Sequence, residues 1–212
     1  MSAAPPNVSA VLLAAGSSSR LGHPKQLVRM GGRPLVRAMV DAALASRCTH
    51  LTVVLGAYAA EVRAALAGTF VDTVENVHWR EGMGASIATG VAAATCPSRR
   101  AAPPDAVVLL LCDQPALTTG HIDHLVDTFE ATGTAVASGY EDSVGVPALF
   151  PRSTFGRLAA LGGNAGAKVV LAELNTLAIV DWPEGAFDLD TPADLARWLP
   201  TGHHAGTPAS SP

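Results

Sequence analysis

Apolar and polar positions follow two rhythms along this chain. Val8 to Ala14 and Ala106 to Leu111 are apolar at almost every position, as in strands covered on both faces of a parallel sheet. His50 to Leu55 has the same character, and Phe70 to Val77 and Thr134 to Ser138 add two more candidate strands. Between them the apolar residues recur at helical spacing, predicting helices over Leu35 to Ser46, Ala59 to Leu66, Thr118 to Phe129 and Ser153 to Leu161. Thr118 or Thr119 is placed to cap the third. Gly31 to Pro34 reads as a turn, Gly145 to Phe150 as a turn and short strand, and Cys96 to Asp105 as an exposed loop. The alternation predicts an α/β fold with a mostly parallel central sheet.

Length and composition fit one such domain. The chain has 212 residues, 49% of them hydrophobic and 15% charged, enough to bury a single core. Residues 1–200 are expected to form it, with 201–212 a disordered tail rich in Gly, Pro and Ser. No apolar run reaches the roughly 18 residues of a membrane span and the start lacks a leader pattern, so a soluble, cytoplasmic protein is expected. Three cysteines without Cys-x-x-Cys spacing argue against a zinc site or disulfide framework. A net charge of -4 without a basic run argues against nucleic acid as a partner. An anionic substrate therefore needs a local positive site.

The stretch that breaks from the first strand supplies one. Gly16 permits close backbone approach, Ser17 to Ser19 offer hydroxyls and N–H groups, and Arg20 and Lys25 can neutralise phosphate oxygens. The chain has only two lysines, Lys25 and Lys168, and both lie in Gly-containing loops. The spacing excludes a P-loop, because five residues separate Gly16 from Gly22, and Ser18 occupies the second glycine of a dinucleotide fingerprint. A second glycine turn, Gly82-Met83-Gly84, enters an Ala-rich helix whose free N–H groups suit an anion or a base carbonyl. Ala88 breaks the nucleophile-elbow pattern there, leaving Ser86 as a cap or ligand hydrogen-bonder.

The apolar strand Ala106 to Leu111 ends, after Cys112, in the carboxylate of Asp113. Ligands of open α/β sheets bind at the carboxyl ends of the strands, where such a carboxylate can hold Mg²⁺ against phosphate. Near the chain end, Asp188 and Asp190 precede a helix with Pro192 at its start, and Thr191 to Asp194 has the form of a capping box. One of these acids can be helix-terminal chemistry only; Asp190 is the second metal candidate. Gly162 to Lys168 forms a further glycine loop that could close over an acceptor.

Leu13 to Lys25 resembles Leu-Ala-Ala-Gly-x-Ser-x-Arg-Leu/Met-Gly-x-x-Lys, the signature loop of the nucleotidyltransferases that join an NTP to a phosphorylated acceptor, and the chain as a whole is similar to the MobA-like NTP transferases among them. With Gly82 to Gly90, Leu111 to Pro115, Gly145 to Phe150, Gly162 to Lys168 and Phe187 to Pro192, the resemblance covers most of the chain. It is nearest to the molybdenum cofactor cytidylyltransferase branch, because the loop has Ala-Ala-Gly where the guanylyl branch has Ala-Gly-Gly.

The resemblance implies a Rossmann-like three-layer nucleotidyltransferase fold. It also implies transfer of CMP from CTP to a phosphorylated pterin-type acceptor, with Mg²⁺ as cofactor and a molybdoenzyme as recipient of the product. Arg20, Lys25 and Asp113 are then catalytic. Leu13, Ala14, Ala15, Gly16, Ser17, Ser18, Gly82, Gly84 and Ser86 bind the nucleotide alongside Arg20 and Lys25. Asn164 and Lys168 bind the acceptor, and Asp113 and Asp190 hold the metal. The chain departs from the family at Asn164 and Lys168, where an acid and an arginine are common, and this weakens the inference to one acceptor. Two alternatives stay open: a sugar- or small-phosphate nucleotidylyltransferase, and a catalytically silent nucleotide-binding or cofactor-escort protein.

Overall fold

The computed structural model describes residues 4–96, 102–141 and 143–198. The expected tail and residues 97–101 of the Cys96 to Asp105 loop lie outside these residues. Along the chain run β1 (Val8–Leu13), β2 (Arg29–Met30), β3 (Arg33–Pro34), α1 (Leu35–Leu44), β4 (His50–Leu55), α2 (Ala59–Ala65), β5 (Asp72–Glu75) and α3 (Met83–Thr95). They are followed by β6 (Ala106–Leu111), α4 (Thr119–Thr132), β7 (Ala135–Tyr140), β8 (Ser143–Pro151), α5 (Phe155–Ala159), α6 (Lys168–Ala172), β9 (Leu177–Asp181) and α7 (Pro192–Trp198).

Seven strands form one sheet in the order β5-β4-β1-β6-β8-β7-β9. All its pairings are parallel except those of β8, which runs antiparallel to both β6 and β7. The expected mostly parallel sheet is therefore present. The sequence pattern of β1 and β6 follows from their central position: both faces are covered, and their residues are buried almost throughout. Val8, Ala10 and Leu12 pack with α1, α2 and α4, whereas Val11 and Leu13 pack with α3, α5 and α6. This is the three-layer arrangement, with helices on each face of a strand that alternates its side chains between them.

Three local expectations needed correction. Gly145 to Phe150 belongs to a nine-residue strand, not a short one, because β8 is wedged between β6 and β7 and gains hydrogen bonds on both sides. Gly31 to Pro34 is part of a small antiparallel hairpin rather than a bare turn. The strand expected over Phe70 to Val77 is only Asp72–Glu75; it lies at a sheet edge, and Phe70 is 99% exposed. No helix among the described residues is long and apolar enough to cross a membrane.

Candidate active site

The parallel pairing of β1 with β6 sets Leu13 opposite Leu111. The glycine loop and Asp113 therefore leave the sheet side by side, at its carboxyl edge. A cavity of about 360 Å³ opens there, with Gly16, Ser18, Arg20, Lys25, Asp113 and Asp190 in its wall.

The loop is held by its own polar groups. Ser18 adopts a left-handed backbone conformation, with φ of 53°, and its carbonyl accepts the N–H groups of Leu21 and Gly22. Its hydroxyl accepts the Lys25 backbone N–H at 3.0 Å. Gln26, almost wholly buried, sends Nε2 to the carbonyls of Ala14 at 3.0 Å and Gly16 at 2.8 Å. A buried amide must find partners or pay for its desolvation, and these carbonyls supply them while fixing the path of the loop.

The C-terminal acids arrive by tertiary contact. The Leu189 N–H donates to the Asp113 carbonyl at 2.8 Å, and the Leu189 side chain is fully buried. That anchor leaves the flanking Asp188 and Asp190 in the cavity wall. Asp194 serves as the helix-terminal acid: its carboxylate accepts the N–H and hydroxyl of Thr191, whose hydroxyl accepts the Asp194 N–H. The capping box thus spares the Asp190 carboxylate for other partners.

Those partners are cations. Lys25 Nζ lies 2.9 Å from Asp113 Oδ2 and 2.7 Å from Asp190 Oδ1, and Arg20 lies 2.6 Å from Asp190 Oδ2. Burial by itself would lower the Lys25 ammonium, but Asp113 and Asp190 outweigh it and hold it above the ordinary lysine value. The Asp188 carboxyl is also raised, to about 6, by burial and then by the charges of Asp113 and Asp190, which for an acid disfavours the charged form. Asp113 Oδ1 is buried and has no hydrogen-bond partner.

The residues present fit a hard divalent cation. Mg²⁺ takes one or two carboxylates and fills its other positions with water and phosphate oxygens. Asp113, with an unpartnered buried oxygen, and Asp190 offer that donor set. Among the described residues no group of three or more His, Cys, Asp or Glu side chains is assembled to hold a metal without such additional ligands.

Other candidate residues are distributed more widely. Leu13, Ala15 and Ser86 line the cavity; Ala14 and Ser17 do not. Ala15 is 4% exposed, and its methyl is braced against Gly56, where an added Cβ would stand 2.7 Å from it. Gly82 and Gly84 also lie outside the cavity wall. A Cβ on Gly82 would meet the Gly163 carbonyl oxygen at 2.2 Å, and one on Gly84 the Gly162 carbonyl oxygen at 2.7 Å. The Gly84 N–H is taken by the Gly163 carbonyl at 3.0 Å. These two glycines seat the 162–164 loop on the helix entry, and Met83 and Ser86, the latter accepting from buried Asn76 at 3.0 Å, are the residues of that entry in the cavity wall. Asn164 packs beside Gly82, and Lys168 donates to Ser143 at 2.5 Å, so neither acceptor candidate lines the cavity.

Gln26, Met83 and Cys112 are wall residues that the sequence reading passed over. The position of Gln26 beside Lys25 was the available signal for it. Nothing in the spacing of Met83 or Cys112 marked them.

Comparison with known proteins agrees with this architecture. Residues 10–177 match the MobA-like NTP transferase domain. The chain is 31% identical to nicotine blue oxidoreductase from Paenarthrobacter nicotinovorans, over 92% of this chain and 97% of that one. Its fold superposes on Rv0371c from Mycobacterium tuberculosis H37Rv with a TM-score of 0.74 at 34% identity, covering 92% and 98% of the two chains. The structure of Rv0371C in complex with manganese gives a TM-score of 0.72 at 29% identity, covering 92% and 99%. A Methanothermobacter nucleotidyl transferase gives 0.73 at 25% identity, covering 92% and 99%.

Proposed function

The chain belongs to the MobA-like NTP transferase family and is a nucleotidyltransferase, and from that premise we propose that it transfers CMP from CTP to the terminal phosphate of the molybdopterin molybdenum cofactor, releasing pyrophosphate. The observation that carries the reading is the meeting of the glycine loop, Arg20 and Lys25 with Asp113 and Asp190 in one cavity at the carboxyl edge of β1 and β6. Phosphate binding and metal binding need these opposite charges within reach of each other.

In this mechanism an acceptor phosphate oxygen attacks the α-phosphorus of CTP in line, and the bond to pyrophosphate breaks. Arg20 and Lys25 neutralise the triphosphate, while Gly16 and Ser18 present the loop backbone to it. Asp113 and Asp190 would hold Mg²⁺, which when bound supplies charge stabilisation to the phosphate oxygens. The manganese complex of Rv0371C supports a divalent cation in this fold. Leu13, Ala15 and Ser86 border the nucleotide, and the Ala-Ala-Gly form of the loop supports a pyrimidine base. Positioning and electrostatic stabilisation carry the rate, with no covalent enzyme intermediate. The dinucleotide product would pass to a molybdoenzyme.

The name of the Paenarthrobacter relative introduces a second chemistry, oxidation and reduction. In this chain Ser18 stands where a dinucleotide-binding loop has its second glycine, and the cavity carries paired acids and bases suited to phosphate and metal. Transfer is therefore the reading that its residues support.

Pyrophosphate release decides the matter. CTP, GTP, UTP and ATP are each tested with molybdopterin-bound molybdenum and with a set of sugar phosphates. CTP with the molybdenum cofactor is expected to give the highest kcat/KM. Preference for a sugar phosphate would identify the other class of nucleotidylyltransferase, and absence of release from every pair would overturn both acceptor classes.

A further inference from the structure

Lys25 is expected on phosphate, and Asp113 and Asp190 on metal, yet in the structure they are bonded to each other. Lys25 Nζ bridges Asp113 Oδ2 and Asp190 Oδ1 at 2.9 and 2.7 Å. An ammonium between two carboxylates takes oxygen ligands that a divalent cation would use. We propose that Lys25 is an internal stand-in for the divalent cation in the nucleotide-free protein, so that metal entry and delivery of Lys25 to the triphosphate are one exchange. The proposal rests on the metal reading given under Proposed function.

The surroundings equip Lys25 to move and leave the carboxylates in place. Its backbone N–H is fixed by Ser18 Oγ at 3.0 Å, and the following Gln26 is locked to the Ala14 and Gly16 carbonyls. The four-carbon side chain is thus a swinging arm on a fixed base. Asp113 is held through its carbonyl by Leu189, and Asp190 keeps Arg20 on its second oxygen. The arm's other destination is close, because Gly16, Ser18 and Ser19 line the same cavity.

Charge gives the exchange its direction. The carboxylates of Asp113 and Asp190 are matched by the two cations Lys25 and Arg20, so this cluster is close to neutral. A divalent cation on the same carboxylates makes the cluster positive, repels the ammonium and attracts the triphosphate. By reciprocity, a triphosphate that draws Lys25 away opens the acid pair to metal. Metal without nucleotide must compete against a tethered ammonium and is therefore bound weakly.

The experiment measures Mn²⁺ binding to the full-length protein without nucleotide, from the electron paramagnetic resonance signal of free Mn²⁺. Wild type, Lys25→Met, Asp113→Asn and the double variant are compared. Removal of the ammonium should tighten Mn²⁺ binding by at least about tenfold, within the usual range of coupling between sites, and the gain should vanish in the double variant. Lys25→Gln, which keeps hydrogen-bonding atoms but no charge, should gain similarly. Because unbalanced acids can lower stability, the Tm rise on adding Mn²⁺ is also read for each variant against its own metal-free Tm.

Equal or weaker Asp113-dependent Mn²⁺ binding in both lysine variants would overturn the exchange and leave the metal reading standing. If no variant binds Mn²⁺ in an Asp113-dependent way, the metal reading falls and the exchange falls with it.

Discussion

Replacing Gln26 with methionine tests whether a buried amide, rather than bulk, holds the glycine loop in shape. Methionine has nearly the same length and volume, so a cavity contributes little. It removes both donors that Nε2 sends to the Ala14 and Gly16 carbonyls. Each lost hydrogen bond costs about 1 kcal/mol net, and a carbonyl left buried without a partner costs roughly 1–3 kcal/mol. Ala14 is 3% exposed, so its carbonyl bears the larger cost, whereas the bond to Gly16 is only part-buried and water can replace it. The sum is about 2–4 kcal/mol. At roughly 2–4 °C per kcal/mol for a domain of this size, Tm should fall by about 5–15 °C in calorimetry.

The same change should reach catalysis, because Ser18 and Lys25 are fixed within the segment that Gln26 ties down. A displacement of about 1 Å at a reacting group can cost on the order of 10²-fold in rate, so kcat/KM for CTP should fall by about that factor at a temperature where the variant is folded. A Gln26→Met protein with wild-type Tm and wild-type kcat/KM would show that Gln26 only fills space, and the account of the loop would be wrong.

Asp113→Asn should nearly abolish pyrophosphate release while circular dichroism shows a folded protein, since Asp113 lies at the cavity and its backbone anchor to Leu189 is kept; full activity with Mg²⁺ would refute its metal role. Ala15→Gly should move the CTP/GTP ratio of kcat/KM only partly toward GTP, because one methyl is worth about 1–3 kcal/mol at most and this methyl is braced on Gly56. An unchanged ratio would shift base selection toward Met83 and Ser86. His121 stacks on Trp182 at 4.5 Å and donates from Nε2 to Ser138 at 2.7 Å, whose own proton goes to the Pro147 carbonyl. Burial, with some help from His124, lowers its pKa from 6.5 to about 4, so its contribution to stability is full above about 6.5 and is lost as pH falls toward 4. Asp188, raised from 3.8 to about 6, acts in the opposite sense. The check is therefore the difference between wild-type and His121→Phe Tm curves, which should be flat above pH 6.5 and shrink below it; a constant difference down to pH 4 would refute the assignment.

The sequence by itself determined the features that are local or that report burial. β1 and β6 were legible because a strand covered on both faces has almost no polar positions. A threonine cap was legible at Thr118 or Thr119, and the structure selects Thr118, whose hydroxyl serves the His121 N–H three residues on. The Thr191–Asp194 box was legible for the same reason. By contrast Leu177 to Val180 of β9 is an unbroken apolar run too short to separate strand from helix, and at the sheet edge only Val180 of it is buried. Tertiary structure alone decided that Lys25 meets Asp113 and Asp190, residues 88 and 165 positions away. It also decided that Gly82 and Gly84 receive the 162–164 loop instead of lining the cavity. The physical reason is common to these cases: periodicity and capping depend on neighbours within a few residues, whereas the partner of a charge or a glycine is chosen by sheet order and by contacts such as that of Leu189 with Asp113.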